Sequence, residues 1–583
     1  MNNWTQNYDP AGSPIWSTIL AAVPIVLLLV LLASGRVRAH QAALMGLLSA
    51  VLMGLFVFQP SEVGKSHNGL LDWAATVLTA TATGAVFGLF PIGWIVLTAI
   101  FLYNLTVASG QHEIVKQSVM SLSGDRRIQA ILIAFCFGAF LEGAAGFGTP
   151  VAISAALLMG AGFKPVNAAG YALLANTAPV AFGALGTPIV TLAKVTGLNE
   201  LELSAMAGRQ LPFFSLLVPA WLVWTMGGWR AALAVWPALL VGGGSFALVQ
   251  FVVSNYHGPW LVDIVGGVIS LLSLAIFLRL WQPTEVWHFP DERPDAQKGV
   301  RPPLAASHLA AGSDPFLGQA FHTKKAIFTA WLPWVLLSVF VFLWGLPETK
   351  KVLGQVTLHY EVPGLHLRIS RDRPVVAARE PEAAVFDFNW LSATGTSIFL
   401  AAVASSWWLG INARRFLRVF TSTCRSLLWP LFTIACMLAI AFTTRYTGMD
   451  GTLGLAFTKT GWLYPMFAAL LGWLGVALTG SDTSSNALFG SLQTVTARHL
   501  VLGGVLPLSE PQAMLLLATA NSTGGVMGKM IDAQSIVIST AATGQTGQEG
   551  TILRFVFWHS LALAILMGLL VILQAYWLKG MIP

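Results

Sequence analysis

About twelve stretches of this chain stay apolar for roughly 20 residues each, and no other feature constrains the fold as strongly. They fall at 15–33, 40–58, 86–106, 166–197, 209–227, 230–254, 259–280, 326–346, 391–410, 426–446, 512–545 and 551–578. A helix of about 20 residues crosses a hydrocarbon core of about 30 Å. No water is available there to pair with the backbone, so each N–H and C=O must be satisfied within the protein. Charged residues make up 10% of the 583 positions, against about 25% in soluble domains. The sequence therefore predicts an all-α polytopic membrane protein with about 12 transmembrane helices. Its 22 tryptophans suit anchoring at the lipid interface. Residues 70–84, "LLDWAATVLTATATG", read either as a lead-in helix or as half of a broken one.

Positive charge orients the set. Arg36 and Arg38 follow the first span, which places that loop inside and both chain ends outside. One alternation then puts Arg126, Arg127, Arg230, the cluster Arg414, Arg415, Arg418 and Arg425, and Arg554 all in the cytoplasm. The polar segment 283–325 reads as a cytoplasmic linker. Residues 347–389 read as an external loop holding an interfacial hairpin or helix, with no recognisable chemistry. The excess of 32 Lys+Arg over 25 Asp+Glu sets orientation; no basic run is dense enough for nucleic acid. The N-terminal "MNNWTQNYDPAGSP" lacks a basic leader, so the first span reads as retained. Cys136, Cys424 and Cys436 have no CxxC spacing, and no HExxH occurs among the 11 His, so neither a metal nor a cofactor is expected.

Two of these stretches, 166–197 and 512–545, are too long and too polar in the middle for plain helices. Residues 128–163 carry one formal charge, Glu142, and are interrupted by "EGAAGFGTP". Two arms of about 14 residues, about 21 Å each, are too short to span, which predicts a re-entrant hairpin sheltered by protein. The same order recurs later. "SGQHEIVKQSVMSLSG", "FLEGAAGFGTP" and "ALLANTAPVAFGALGTPIV" are matched by "TGMDGTLGLAFTKTG", "ALTGSDTSSNALFG" and "LLLATANSTGGVMGKMIDAQSIV". Gly110 precedes Glu142 by 32 residues and Gly448 precedes Asp482 by 34; Asn176 precedes Gly183 by 7, as Asn521 precedes Gly528. The span count inverts the second copy. The expected organisation is a first inverted repeat over 1–228, with hairpin 128–163 and broken helix 166–197. Two linking helices and the cytoplasmic linker occupy 229–325. A second repeat over 326–583 carries the external loop, hairpin 462–497 and broken helix 512–545. Inverted repeats with broken helices near the midplane are the architecture of secondary transporters.

"ATANSTGGVMGKMIDAQ" then reads as the unwound centre of a span, with Gly524, Gly525 and Gly528 allowing unusual dihedrals. Its counterpart "NTAPVAFGALGTP" loses two backbone donors at Pro179 and Pro188. Freed backbone groups at that depth are tolerable where they line a cavity, and half-helix N-termini there attract an anion.

"FLEGAAGFGTPVAISAALL", "ANTAPVAFGALGTP", "FNWLSATGT", "TGSDTSSNALFG" and "NSTGGVMGKMIDAQS" resemble the bacterial L-lactate permease family, which includes glycolate permeases. The resemblance covers nearly the whole chain. It implies proton-coupled uptake of L-lactate, with D-lactate and glycolate, across the bacterial inner membrane. It also implies an ion-transporter-type, elevator-like fold. The partners so implied are a 2-hydroxy monocarboxylate, a proton and the bilayer; a homodimer is compatible with the sequence.

Glu142, Asp482 and Asp532 are the candidate proton-coupling residues. The structural alternative is a hydrogen-bonded carboxyl that holds a hairpin tip. Lys529 and Asp532 lie three apart: either they form an ion pair that stabilises the break, or Lys529 receives the substrate carboxylate. Candidate substrate contacts are Gly143, Gly146, Thr149, Asn176, Thr177, Ser481, Thr483, Ser484, Ser485, Asn486, Asn521, Ser522 and Thr523. Helix capping is the ordinary role of such hydroxyls and amides. Lys194, Arg445 and Lys459 read as interfacial snorkelers and Asp263 as a cap. Rival readings are sodium-coupled or exchange transport of another organic anion, a channel, and a membrane-embedded hydrolase. The last would need a nucleophile–base or metal arrangement, and no such motif is present.

Overall fold

Nearly every apolar run of the sequence becomes helix, because intrahelical bonding is how its backbone is satisfied away from water. The computed structural model describes residues 4–33, 37–65, 68–120, 122–144, 146, 148–289, 323–376, 379–545 and 548–583. Most of the linker expected at 283–325 lies outside the described residues, as does Arg36. Among the described residues nine helical stretches are long and apolar enough to cross a bilayer, or ten if one bent pair counts as a span. Pro14–Leu28 and His40–Phe56 are shorter apolar helical stretches.

The chain opens with strand β1 (Trp4–Thr5), then α1 (Pro14–Ala33) and α2 (Ala39–Phe56). Helix α3 (Gly69–Phe87) continues through the π-helical turn Gly88–Gly93 into α4 (Trp94–Ala108). Residues 70–84 are thus half of a kinked 40-residue unit, and the expected span at 86–106 begins earlier. The kink sits at Phe90, whose extended dihedrals precede Pro91.

A short α5 (Gln111–Met120) leads to α6 (Arg126–Ala130), a π-helical stretch Ile131–Phe137 and α7 (Gly138–Ala144). Helix α8 (Thr149–Gly160) packs back along them. The first arm is a continuous 19 residues, about 28 Å, not the about 14 residues expected. Only α8, at 12 residues, is too short to span. Next come α9 (Pro165–Ala175) and α10 (Gly183–Thr196), bent by 67°. They are followed by α11 (Glu200–Ala207), α12 (Leu211–Ala234), α13 (Trp236–Tyr256), α14 (Val262–Leu280) and, beyond the linker, α15 (Lys324–Gly345) and α16 (Pro347–Gly354).

The loop 347–389 is a small β structure. Strand β2 (Leu358–Glu361) pairs antiparallel with β5 (Val385–Phe388), while β3 (Ile369–Arg371) pairs with β4 (Glu380–Pro381) and with β1. The β1–β3 pairing places the N-terminal segment and this loop on one face of the molecule. The second half follows: α17 (Thr394–Trp408), the 35-residue α18 (Ala413–Thr447), α19 (Met449–Phe457), α20 (Tyr464–Thr479), α21 (Asp482–Leu502), α22 (Glu510–Gly528), α23 (Ala533–Ala542) and α24 (Glu549–Tyr576).

Helices α20 and α22 pack backbone to backbone. A Cβ at Gly524 would lie 2.1 Å from the Ala469 carbonyl oxygen, and one at Gly528 2.3 Å from that of Trp473. Small residues four apart permit this approach. These glycines therefore serve helix contact within a regular helix, not the unusual dihedrals expected of them.

Candidate functional site

Both hairpin turns and both helix interruptions converge on one small cavity. It is lined by Glu142 and Gly146 from the first hairpin and by Val180, Gly183, Ala184, Thr187 and Pro188 from the α9–α10 break. Gly480, Ser481, Asp482 and Thr483 from the α20–α21 turn, and Lys529 after α22, complete it. Its volume is about 30 Å³, about the share of one liquid water.

The first break is irregular backbone. Asn176 caps α9, Val180–Phe182 form a single 3-10 turn, and Ala184 and Leu185 hold left-handed dihedrals at φ 43° and 57°. Asn176 Nδ2 donates to Glu142 Oε2 at 3.1 Å, so the hairpin carboxylate holds the break of its own half. The Thr177 hydroxyl and Asn176 Oδ1 are buried without a partner among the described residues.

The second break lies later than the sequence suggests. Helix α22 runs regularly through Asn521, Ser522 and Thr523 to Gly528, and the interruption is the short 3-10 turn Lys529–Ile531 with Asp532. An α-helix interior satisfies its own backbone, so the polar run did not need to unwind. Its side chains instead bond sideways. Ser522 Oγ donates to Asp482 Oδ2 at 2.5 Å, and Asn521 Nδ2 donates to Asn486 Oδ1 at 2.9 Å. Asn486 Nδ2 in turn donates to the Pro188 carbonyl at 3.2 Å, reaching across to the first break.

Lys529 and Asp532 form an ion pair at 3.1 Å. The ammonium also donates to the Gly480 carbonyl at 2.7 Å, at the C-terminal end of α20 where the helix dipole favours a cation. Asp532 caps α23 by accepting from the Ser535 backbone N–H at 2.7 Å. Ser481 caps α21 by accepting from the Ser484 N–H at 3.3 Å. Helices α10 and α21 both begin at the cavity, so two helix N-termini face it.

Several candidates point elsewhere. Gly143 packs on α14, where a Cβ would meet that of Asp263 at 2.7 Å. Ser485 faces Gly472 and Gly475 of α20, and Thr523 donates to Gln210 Oε1 at 2.7 Å. Thr149 begins α8, and its side chain lies outside the described residues. Asp263 is not a cap: it is buried and neither carboxyl oxygen has a partner among the described residues. Nor is Arg445 a snorkeler, since it donates to Glu382 Oε2 at 2.9 Å and to the Val195 carbonyl at 3.0 Å.

Sequence reading missed a glutamine ladder. Gln493 donates to Asn521 Oδ1 at 3.2 Å and accepts from the Tyr464 hydroxyl at 2.8 Å, while Gln210 donates to Gln574 Oε1 at 2.7 Å. A signal was present: Gln493 follows Asn486 by seven residues, two turns along one face of α21.

The profile of the L-lactate permease family matches residues 17–578. Glycolate permease GlcA of Escherichia coli (strain K12) is 45% identical, covering 100% of both chains. The L-lactate permeases of the same strain and of Bacillus subtilis (strain 168) are each 42% identical, again over 100% of both chains. A crystal structure of the Alcanivorax borkumensis YdaH transporter aligns with 87% of this chain and 89% of that one, at 14% identity and TM-score 0.41.

Proposed function

The chain belongs to the L-lactate permease family, and from that premise we propose that it is a secondary transporter taking up L-lactate, with D-lactate and glycolate, together with a proton across the bacterial inner membrane. The observation that carries the reading is the convergence of two hairpin turns and two helix breaks on one buried cavity. A substrate carboxylate there meets the N-termini of α10 and α21 and the ammonium of Lys529. Ser481 and Thr483, which line the same cavity, bond the 2-hydroxyl in this reading.

Charge counting supports the proton. Glu142, Asp482 and Asp532 share a single ammonium, Lys529, in buried surroundings. Adding an anion deepens the negative imbalance, which is costly to move through low dielectric. A proton carried on one of the carboxylates cancels it.

The direction of the helices supports inverted repeats. Helix α10 runs from the central cavity to Thr196, and α22 runs from Met514 inward to the break at Lys529. Thr196 and Met514 line a common cavity beneath the loop 347–389. The interrupted helix α9–α10 thus ends, and the interrupted helix α22–α23 begins, on the loop side, so the two run in opposite senses. The central cavity has room for about one water, and lactate has six non-hydrogen atoms, so the transport cycle has to widen it. An elevator-like motion of the hairpin bundle would do so.

The test is uptake of labelled L-lactate into proteoliposomes under an imposed pH gradient. Uptake rises as the outer medium is acidified and collapses with an uncoupler. Sodium-dependent uptake that ignores the uncoupler overturns the proton assignment, and absence of lactate uptake under any gradient overturns the substrate.

A further inference from the structure

A second cavity, of about 200 Å³, lies where the loop 347–389 covers the ends of α10, α21 and α22. It is lined by Arg371 from β3, Glu380 from β4, the adjoining Glu382, Arg445 from α18, Thr494 and Arg498 from α21, and Thr196 from α10. Each guanidinium carries five N–H donors, and these arginines use only part of that capacity among the described residues. Arg371 pairs with Glu382 and, at 3.6 Å, with Asp450. Arg445 reaches Glu382 and the Val195 carbonyl, and its buried Nε has no partner among the described residues. Arg498 pairs with Glu510 and, at 3.4 Å, with Glu380.

The surrounding acids are unequal. Side chains of Glu380 and Glu510 are 56% and 36% exposed, so water and salt screen them. Glu382 and Asp450 are buried, and Asp450, which does not line the cavity, also accepts from Ser491. Three largely buried guanidiniums thus face two buried carboxylates. Burial alone would raise the Glu382 carboxyl, yet Arg445 and Arg371 hold it below its ordinary range, so it stays ionised beside them.

Position gives the chamber a purpose. Helix α10 extends from Gly183 at the central cavity to Thr196 here, and α21 from Asp482 to Thr494 and Arg498. The rise per residue puts the two cavities about 20 Å apart along one packed helix pair. The outer one is large enough for a small hydroxy acid, and its forked donors match a carboxylate.

We propose that this outer chamber is a second binding site for a small monocarboxylate, occupied before the anion passes along α10 and α21 to the central cavity. The anion takes guanidinium donors of Arg371, Arg445 and Arg498 that the carboxylates leave open, the unpartnered Nε of Arg445 among them, so Glu382 keeps its own pairs. This rests on the transport reading above. The test uses the full chain, with lactate as the probe. Wild type binds two lactates per chain at equilibrium. Arg498→Gln removes the outer one, and Lys529→Met removes the central one. In uptake from the loop side Arg498→Gln raises KM about fivefold, more than it lowers Vmax, and Arg498→Lys restores it. A single wild-type site that Lys529→Met abolishes and Arg498→Gln leaves intact overturns the outer site alone. Unchanged KM in Arg498→Gln, or equal damage in the Gln and Lys variants with the same melting temperature, also overturns it. Absence of lactate binding in wild type overturns both readings.

Discussion

Removing the ammonium of Lys529 separates a charge that holds the fold from one that carries substrate. Lys529 and Asp532 are 5% and 0% exposed, and their ion pair is 3.1 Å long. Lys529→Met keeps much of the apolar stem, so packing is largely conserved. It leaves Asp532 with a buried charge whose remaining partner is the Ser535 N–H. Stranding one member of a buried pair costs about 3–5 kcal/mol. Losing the bond to the Gly480 carbonyl adds about 1 kcal/mol. Replacing both partners by neutral groups strands neither member of the pair, and the cost left is the ammonium that Glu142 and Asp482 lose from their cavity. The expectation is a Lys529→Met protein about 4–6 kcal/mol less stable than wild type, and a Lys529→Met/Asp532→Asn protein within about 1–2 kcal/mol of it. Reversible unfolding in mixed micelles, followed by tryptophan fluorescence, measures both, with lactate uptake assayed in parallel. If Lys529 binds the substrate carboxylate, the double variant regains stability and not transport. A single variant as stable as wild type refutes the buried-pair argument. Full uptake by the double variant refutes the carboxylate role.

Gly472→Ala would put a Cβ 1.8 Å from the Asn521 carbonyl oxygen. Backbone cannot give way as a side chain can, so a loss of about 3 kcal/mol or more is expected in the same unfolding assay. Gly183→Ala meets instead the tip of Glu142, Oε1 at 2.6 Å. It should lower uptake with little change in stability, because a flexible side chain can move aside. Glu382 predicts an acid limb in stability, since its carboxyl is held below the ordinary range by Arg445 and Arg371 against the effect of burial. A depressed folded value gives stability that is complete above the unfolded value, about 4.3, and is lost as pH falls through the folded value. Unfolding curves should thus be flat between about pH 5 and 8 and weaken below about pH 4, and Glu382→Gln should lack that decline.

Hydropathy made the helical, multi-pass class legible, because the rule that buried backbone must be paired leaves little choice. The cluster of Glu142, Asn176, Asp482, Asn486 and Asn521 was legible for the same reason: polar side chains at that depth need one another. The position of the second break was not. A run of Asn, Ser, Thr and Gly looks like a helix breaker in water, where those side chains compete for the backbone. Here Asn521 and Ser522 have side-chain partners on α21, so α22 stays helical until Lys529. The chemistry of the loop 347–389 was equally hidden. Arg371, Glu382 and Arg445 meet only through tertiary contact, and Arg445 is 63 residues from Glu382 in the chain. Residue type alone made Arg445 look like an interfacial residue.

The two breaks differ in a way that bears on what moves. The first holds Ala184 and Leu185 in the left-handed region, at a cost of about 1–2 kcal/mol each. Such backbone persists only where its surroundings fix it. Part of what fixes it belongs to the other half: Asn486 of α21 donates to the Pro188 carbonyl. The reverse also holds, since Gln210, the residue before α12, accepts from Thr523 of α22. Each interrupted helix is thus braced by the opposite half of the chain. A motion that separated α10 from α21, or α12 from α22, would strand buried polar groups at about 1–3 kcal/mol apiece. A motion that carries both interrupted helices, both hairpins and Gln210 at the start of α12 together strands none of these. The bracing therefore favours a moving bundle that includes residues from both halves. In that case the hydrogen bond from Arg445 to the Val195 carbonyl and the ion pair of Arg498 with Glu380, which tie the bundle to α18 and to the loop, are the contacts that must yield first.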